Sequence, residues 1–137
     1  MIVIDASALI AVLRHEPEAK AFLRIIDQAR ACLLSAVSHL ETSLVLAGRT
    51  RDRTAWNGLD ALVREAGMEI VPFDAGQAEA AREAFLRFGK GRQPAVLNFG
   101  EALILALAIS GWVACGFGEA VEERAWDCCH VLGLRGR

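Results

Sequence analysis

Only two of the 137 residues are lysine, Lys20 and Lys90, and the formal net charge is −2. So weak a positive balance excludes a protein that coats nucleic acid through bulk charge, and leaves room only for a local basic rim. The chain also lacks an apolar run long enough to span a bilayer. Residues 102–118 carry no charge, but the stretch falls short of the roughly 18–20 residues required and is interrupted at Ser110-Gly111. A buried helix running into a buried strand is the better reading there, with no membrane association. Four cysteines (Cys32, Cys115, Cys128, Cys129) form no CxxC pair and no regular framework. The adjacent Cys128 and Cys129, even with His130, are poorly spaced for tetrahedral zinc. With nothing resembling a signal peptide, reduced thiols in a cytoplasmic protein are expected. Internal repeats and low-complexity tracts are absent too.

Other chemistries lack their parts. The Gly89–Arg92 stretch GKGR has no GxxxxGK[ST] frame, and Gly116-Phe117-Gly118 lacks the third glycine of a dinucleotide turn. A receiver-like phosphoacceptor would want paired acids after the first strand and a late lysine, and no lysine follows Lys90. No Ser or Cys elbow supports covalent hydrolysis.

What is present is a core-rich alternation. Apolar residues make up 54% and charged residues 23%, enough for one domain over residues 1–137 with a substantial core. Apolar strands are expected at 1–5, 31–35, 69–73 and 112–117. Helices are expected through about Leu13 and at 19–29, 36–48, 54–66, 75–88 and 99–109. Pro72 marks the third strand as an edge or a strand end, and Asp74 with Gln77 spells a capping box. Strands alternating with helices predict a three-layer α/β/α fold with a central, mostly parallel sheet.

Three of the 17 acids stand in unexpected places. Asp5 ends the all-apolar first strand, at the sheet edge where open α/β proteins keep their sites. Glu41 lies in VSHLETSLV on one helical stripe with Val37 and Val45, and Glu101 shares a stripe with Leu105 and Ala108. Each has a structural alternative. Asp5 could cap the following helix, Glu41 could pair with Arg49 or Arg51, and Asn98 with Glu101 is spaced as a capping box. The three elements can nevertheless bring one end each to a single sheet edge, and carboxylates gathered there repel one another. A hard divalent cation, Mg²⁺ or Mn²⁺, resolves that conflict and would polarise a phosphodiester and activate water.

The segments MIVIDASALIAVL, SAVSHLETSLVL and EAFLRFGKGRQPAVLNFGEAL resemble the PIN-domain ribonucleases, most closely the VapC-type toxins of bacterial toxin–antitoxin pairs. The likeness covers residues 1–109 and is poor over 110–137. It implies a PIN-like fold and metal-dependent endoribonuclease activity. Asp5 matches the first family acid and Glu41 the second, while Glu101 stands where the family usually has Asp. Ser7 matches the small polar residue beside the first acid, and Asn98 the asparagine three before the third. Lys90 and Arg92 fall in a basic loop suited to RNA phosphate. Glu119 is the candidate for a fourth metal ligand, with Ala120 where a second late acid often stands. The resemblance also implies a homodimer and a small cognate antitoxin. The departures at Glu101 and in the tail open a second expectation, a catalytically impaired PIN-like domain kept as a binding or dimerisation module.

Overall fold

A computed structural model of the chain describes residues 1–48, 50, 52–88 and 131–132. Three strands and the helices between them follow the expected alternation. β1 (Ile2–Ile4) runs into α1 (Ala6–Leu13) and α2 (Ala19–Gln28), then β2 (Cys32–Ser35) into α3 (Ala36–Ala47). A 3-10 turn (Arg53–Trp56) leads into α4 (Asn57–Glu65), followed by β3 (Glu69–Val71) and α5 (Ala75–Phe88). A short β4 (Val131–Leu132) lies beside β1, so that the described strands form a sheet in the order β3-β2-β1-β4, every pair parallel.

The two central strands are apolar at every position up to Ser35 because the sheet is covered on both faces. Ile2 and Ile4 of β1 lie opposite Cys32 and Leu34 of β2. These four join Ala8, Leu9, Ile26, Leu59 and Met68 in the main core. Val3 and Leu33 alternate to the other face and are buried as well. Truncating Ile4 or Leu34, both fully buried, to Ala is worth about 2–5 kcal/mol. β3 is an edge strand of the described sheet, with Glu69 and Ile70 exposed and Pro72 just beyond it, as Pro72 foretold.

Two sequence expectations need correction. The helix expected at 54–66 is divided, because Asp52 caps a separate 3-10 turn by accepting from the Thr54 N–H (2.9 Å) and hydroxyl (2.7 Å). The Trp56 indole then donates to the Ser43 carbonyl at 3.0 Å, tying the turn to α3 before α4 begins. The tail, expected to hold no strand beyond 117, contributes β4 beside β1. Elsewhere the local chemistry is as read: Asp74 Oδ1 accepts from the Gln77 N–H at 2.9 Å at the start of α5. Cys32 is a buried free thiol, and burial pushes its pKa above the ordinary value, with a smaller opposing pull from the N-terminal ammonium. No described helix is long and apolar enough to cross a membrane. The helix and strand expected at 99–109 and 112–117 lie outside the described residues.

Candidate active site

β1 and β2 are parallel and in register at Ile4 and Leu34, so Asp5 and Ser35 stand side by side where the two strands end. Neighbouring strands are about 5 Å apart. Each of these residues is also the N-cap of the helix that follows. Ser35 behaves as a cap should: its hydroxyl oxygen accepts from the Val37 N–H at 3.2 Å.

Asp5 does not. Its backbone carbonyl takes the first helical N–H groups, from Ala8 (3.1 Å) and Leu9 (3.3 Å), but its carboxylate caps nothing. Instead Oδ2 accepts a hydrogen bond from the Ser7 hydroxyl. Asp5 makes no side-chain cap, so the capping alternative fails; it is only 8% exposed, and among the described residues its carboxylate keeps acceptor capacity beyond the bond from Ser7. Ser7, two residues on, fixes which way it faces.

Glu41 lies six residues beyond Ser35, about 9 Å along the axis of α3. The stripe it shares with Val37 and Val45 was expected to face apolar surroundings, and this is corrected. Glu41 is exposed, as is Val45, while half-buried Val37 packs on Ala81 of α5. The buried positions of α3 are Ser38 and Thr42. Apolar residues occur all round this helix, so periodicity left its phase ambiguous. At one of these two inward positions the polar atom is satisfied within the helix: Thr42 Oγ1 donates to the Ser38 carbonyl at 2.8 Å. Glu41 is thus a solvent-reachable acid, free to turn toward a ligand, not one locked in the core.

Among the described residues no three acids, histidines or cysteines gather into a metal-sized cluster. Glu101, Glu119, Asn98, Lys90 and Arg92 lie outside the described residues, as do Arg49 and Arg51, the suggested partners of Glu41. The donor type of what is described fits a hard cation: Asp5 offers a carboxylate with spare acceptor capacity, and Glu41 a second from the adjoining helix. Sequence reasoning passed over Ser38, a buried hydroxyl one turn before Glu41. The signal available was its place in the first turn after the strand end.

Comparison with known proteins settles the family. The PIN domain model matches residues 2–112. The chain belongs to the PIN-domain family. Among curated PIN-domain relatives, ribonuclease VapC28 of Mycobacterium tuberculosis is 40% identical over 131 residues, which span 91% of this chain and 98% of the relative. Ribonuclease VapC of Mycolicibacterium smegmatis is 40% identical over 119 residues, 86% of this chain and 92% of its own. In three dimensions the chain is similar to the M. tuberculosis toxin VapC20, which cleaves the sarcin-ricin loop. The TM-score is 0.61 at 19% identity, covering 81% of this chain and 83% of that one. At that identity the likeness bears on fold alone, and it agrees with the parallel sheet and flanking helices described above.

Proposed function

We propose that this PIN domain is a metal-dependent endoribonuclease, the toxin of a toxin–antitoxin pair. The observation that carries the proposal is Asp5: buried, at the C-terminal end of a central strand, and excused from the capping that its position invites. A buried carboxylate held by one hydroxyl, with acceptor sites left open at the end of a central strand, is placed to serve a ligand. The 40% identity to curated ribonucleases over most of both chains supports the same reading.

Asp5, Glu41 and Glu101 would hold a Mg²⁺ or Mn²⁺ ion, with Glu119 as a fourth candidate. The ion supplies the positive charge that lets a phosphodiester approach acidic residues and that activates water. Ser7 holds Asp5 in one orientation, so that the carboxylate does not have to be ordered when the ligand arrives. Asn98 is assigned a supporting role, and Lys90 with Arg92 contacts RNA phosphate. A cytoplasmic homodimer held in check by a small antitoxin completes the proposal.

The test is cleavage of a tRNA and structured-RNA mixture by purified protein, with Mn²⁺ and then with EDTA, beside Asp5→Asn and Glu101→Asp. Metal-dependent cleavage that disappears in Asp5→Asn establishes the nuclease. A silent parent revived by Glu101→Asp locates damage at one ligand. A parent that neither cleaves RNA nor binds Mn²⁺ overturns the proposal in favour of a binding or dimerisation module.

A further inference from the structure

Of four hydroxyl side chains near the two strand-to-helix junctions, three have a hydrogen-bond partner: Ser7 donates to Asp5, Ser35 accepts from the Val37 N–H, and Thr42 donates to the Ser38 carbonyl. Ser38 differs. It is 4% exposed, yet its Oγ has no hydrogen-bond partner among the described residues. No side-chain oxygen among them is both sealed from solvent and unpartnered. The Ser38 hydroxyl therefore reaches solvent through its small remaining exposure, as a donor without a partner among the described residues.

Its place in the fold gives that donor a use. Ser38 lies three residues beyond Ser35, about 4.5 Å along α3, and Ser35 stands beside Asp5. Ser38 and Thr42 are the buried positions of α3, and α3 packs on α1, the helix that starts from Asp5. Ser38 thus lies in the first turn of α3, on the helix that starts beside the carboxylate assigned to the metal. We propose that Ser38 is a substrate-contact residue, donating to a non-bridging phosphate oxygen of the RNA strand. The inference rests on the nuclease reading. A neutral donor suits this location, because flanking carboxylates repel a phosphodiester and a hydroxyl binds it without joining or displacing the metal ligands.

The alternative is that serine is there only because it is small enough for two helices to approach. Ser38→Ala keeps the size and removes the donor, and Ser38→Thr restores a donor. Binding of a fluorescent RNA hairpin by anisotropy without divalent metal, and cleavage of the same hairpin with Mn²⁺, would be measured on both variants. Ser43→Ala serves as the control, since that hydroxyl is already committed to the His39 carbonyl at 2.8 Å. The expected result is binding weakened about fivefold and kcat/KM lowered about tenfold in Ser38→Ala, with Mn²⁺ affinity and Tm unchanged. Ser38→Thr should recover most of both losses, and Ser43→Ala should match the parent. A parent that binds and cleaves while Ser38→Ala equals it overturns this inference and leaves the nuclease standing. A parent that neither binds nor cleaves the hairpin overturns this inference, and one that also fails to bind Mn²⁺ overturns the nuclease reading with it.

Discussion

The junctions at Asp5 and Ser35 are built alike and used differently. Each follows a buried parallel strand, each lies next to the other in register, and each starts a helix with no intervening loop. Ser35 spends its side-chain oxygen on the Val37 N–H, whereas Asp5 leaves its own cap unmade and is steadied by Ser7. Cap position alone therefore does not say whether a polar side chain serves the fold. The question is which donor it accepts from, and at Asp5 the answer leaves a carboxylate available for chemistry.

The sharpest way to break that comparison is Asp5→Asn. It should cost at least about 10²-fold in RNA cleavage, as expected for a lost charge-bearing ligand. Thermal unfolding should stay within a few degrees of the parent, because no cap is lost. A large fall in Tm with cleavage retained would assign Asp5 to the fold after all. Ser7→Ala removes the group that orients Asp5 and should lower kcat about tenfold, the loss largely recovered in Ser7→Thr. Ser35→Ala is the mirror experiment. Chemical denaturation should show a loss of about 1 kcal/mol, with cleavage per folded molecule unchanged.

The smallest effects lie at the other ends of such helices. α1 and α4 both finish with paired backbone hydrogen bonds around a left-handed residue. At α1 these run from Glu16 to Ala11 and from His15 to Val12, and at α4 from Met68 to Val63 and from Gly67 to Arg64. Gly67 (φ 58°) takes that conformation without cost, while His15 (φ 56°) carries a side chain there. His15→Gly should stabilise by about 0.5 kcal/mol and Gly67→Ala should destabilise by about 1 kcal/mol. The second effect is purely conformational, since a Cβ at residue 67 would meet nothing within 4 Å. Equal and negligible changes at both sites in urea titrations would contradict the assignment.

Much of this architecture was legible in the residues. β1, β2 and β3 announced themselves as short apolar runs bounded by polar or turn residues, and Pro72 marked the edge. α5 announced itself through Asp74 and Gln77, whose signal is local and survives without knowledge of the rest of the chain. The phase of α3 was not legible, because valines and leucines lie all round it and the choice of Ser38 and Thr42 as its inner face depends on what α1 presents. The break before α4 was hidden for a similar reason: it depends on Trp56 reaching back 13 residues to the Ser43 carbonyl. β4 escaped because Val131-Leu132 is too short to read as a strand without β1 beside it.

The sequence by itself determined that a carboxylate would end a buried strand and that a second would follow on a helix rising from the same sheet edge. These are consequences of period, composition and chain order. Only the tertiary structure decided that Asp5 is released from capping while Ser35 is held to it, that Glu41 faces solvent, and that the hydroxyl of Ser38 is left over. Those outcomes are set by competition among hydrogen-bond partners that meet only when β1, β2, α1 and α3 are packed together, and no local propensity encodes the winner.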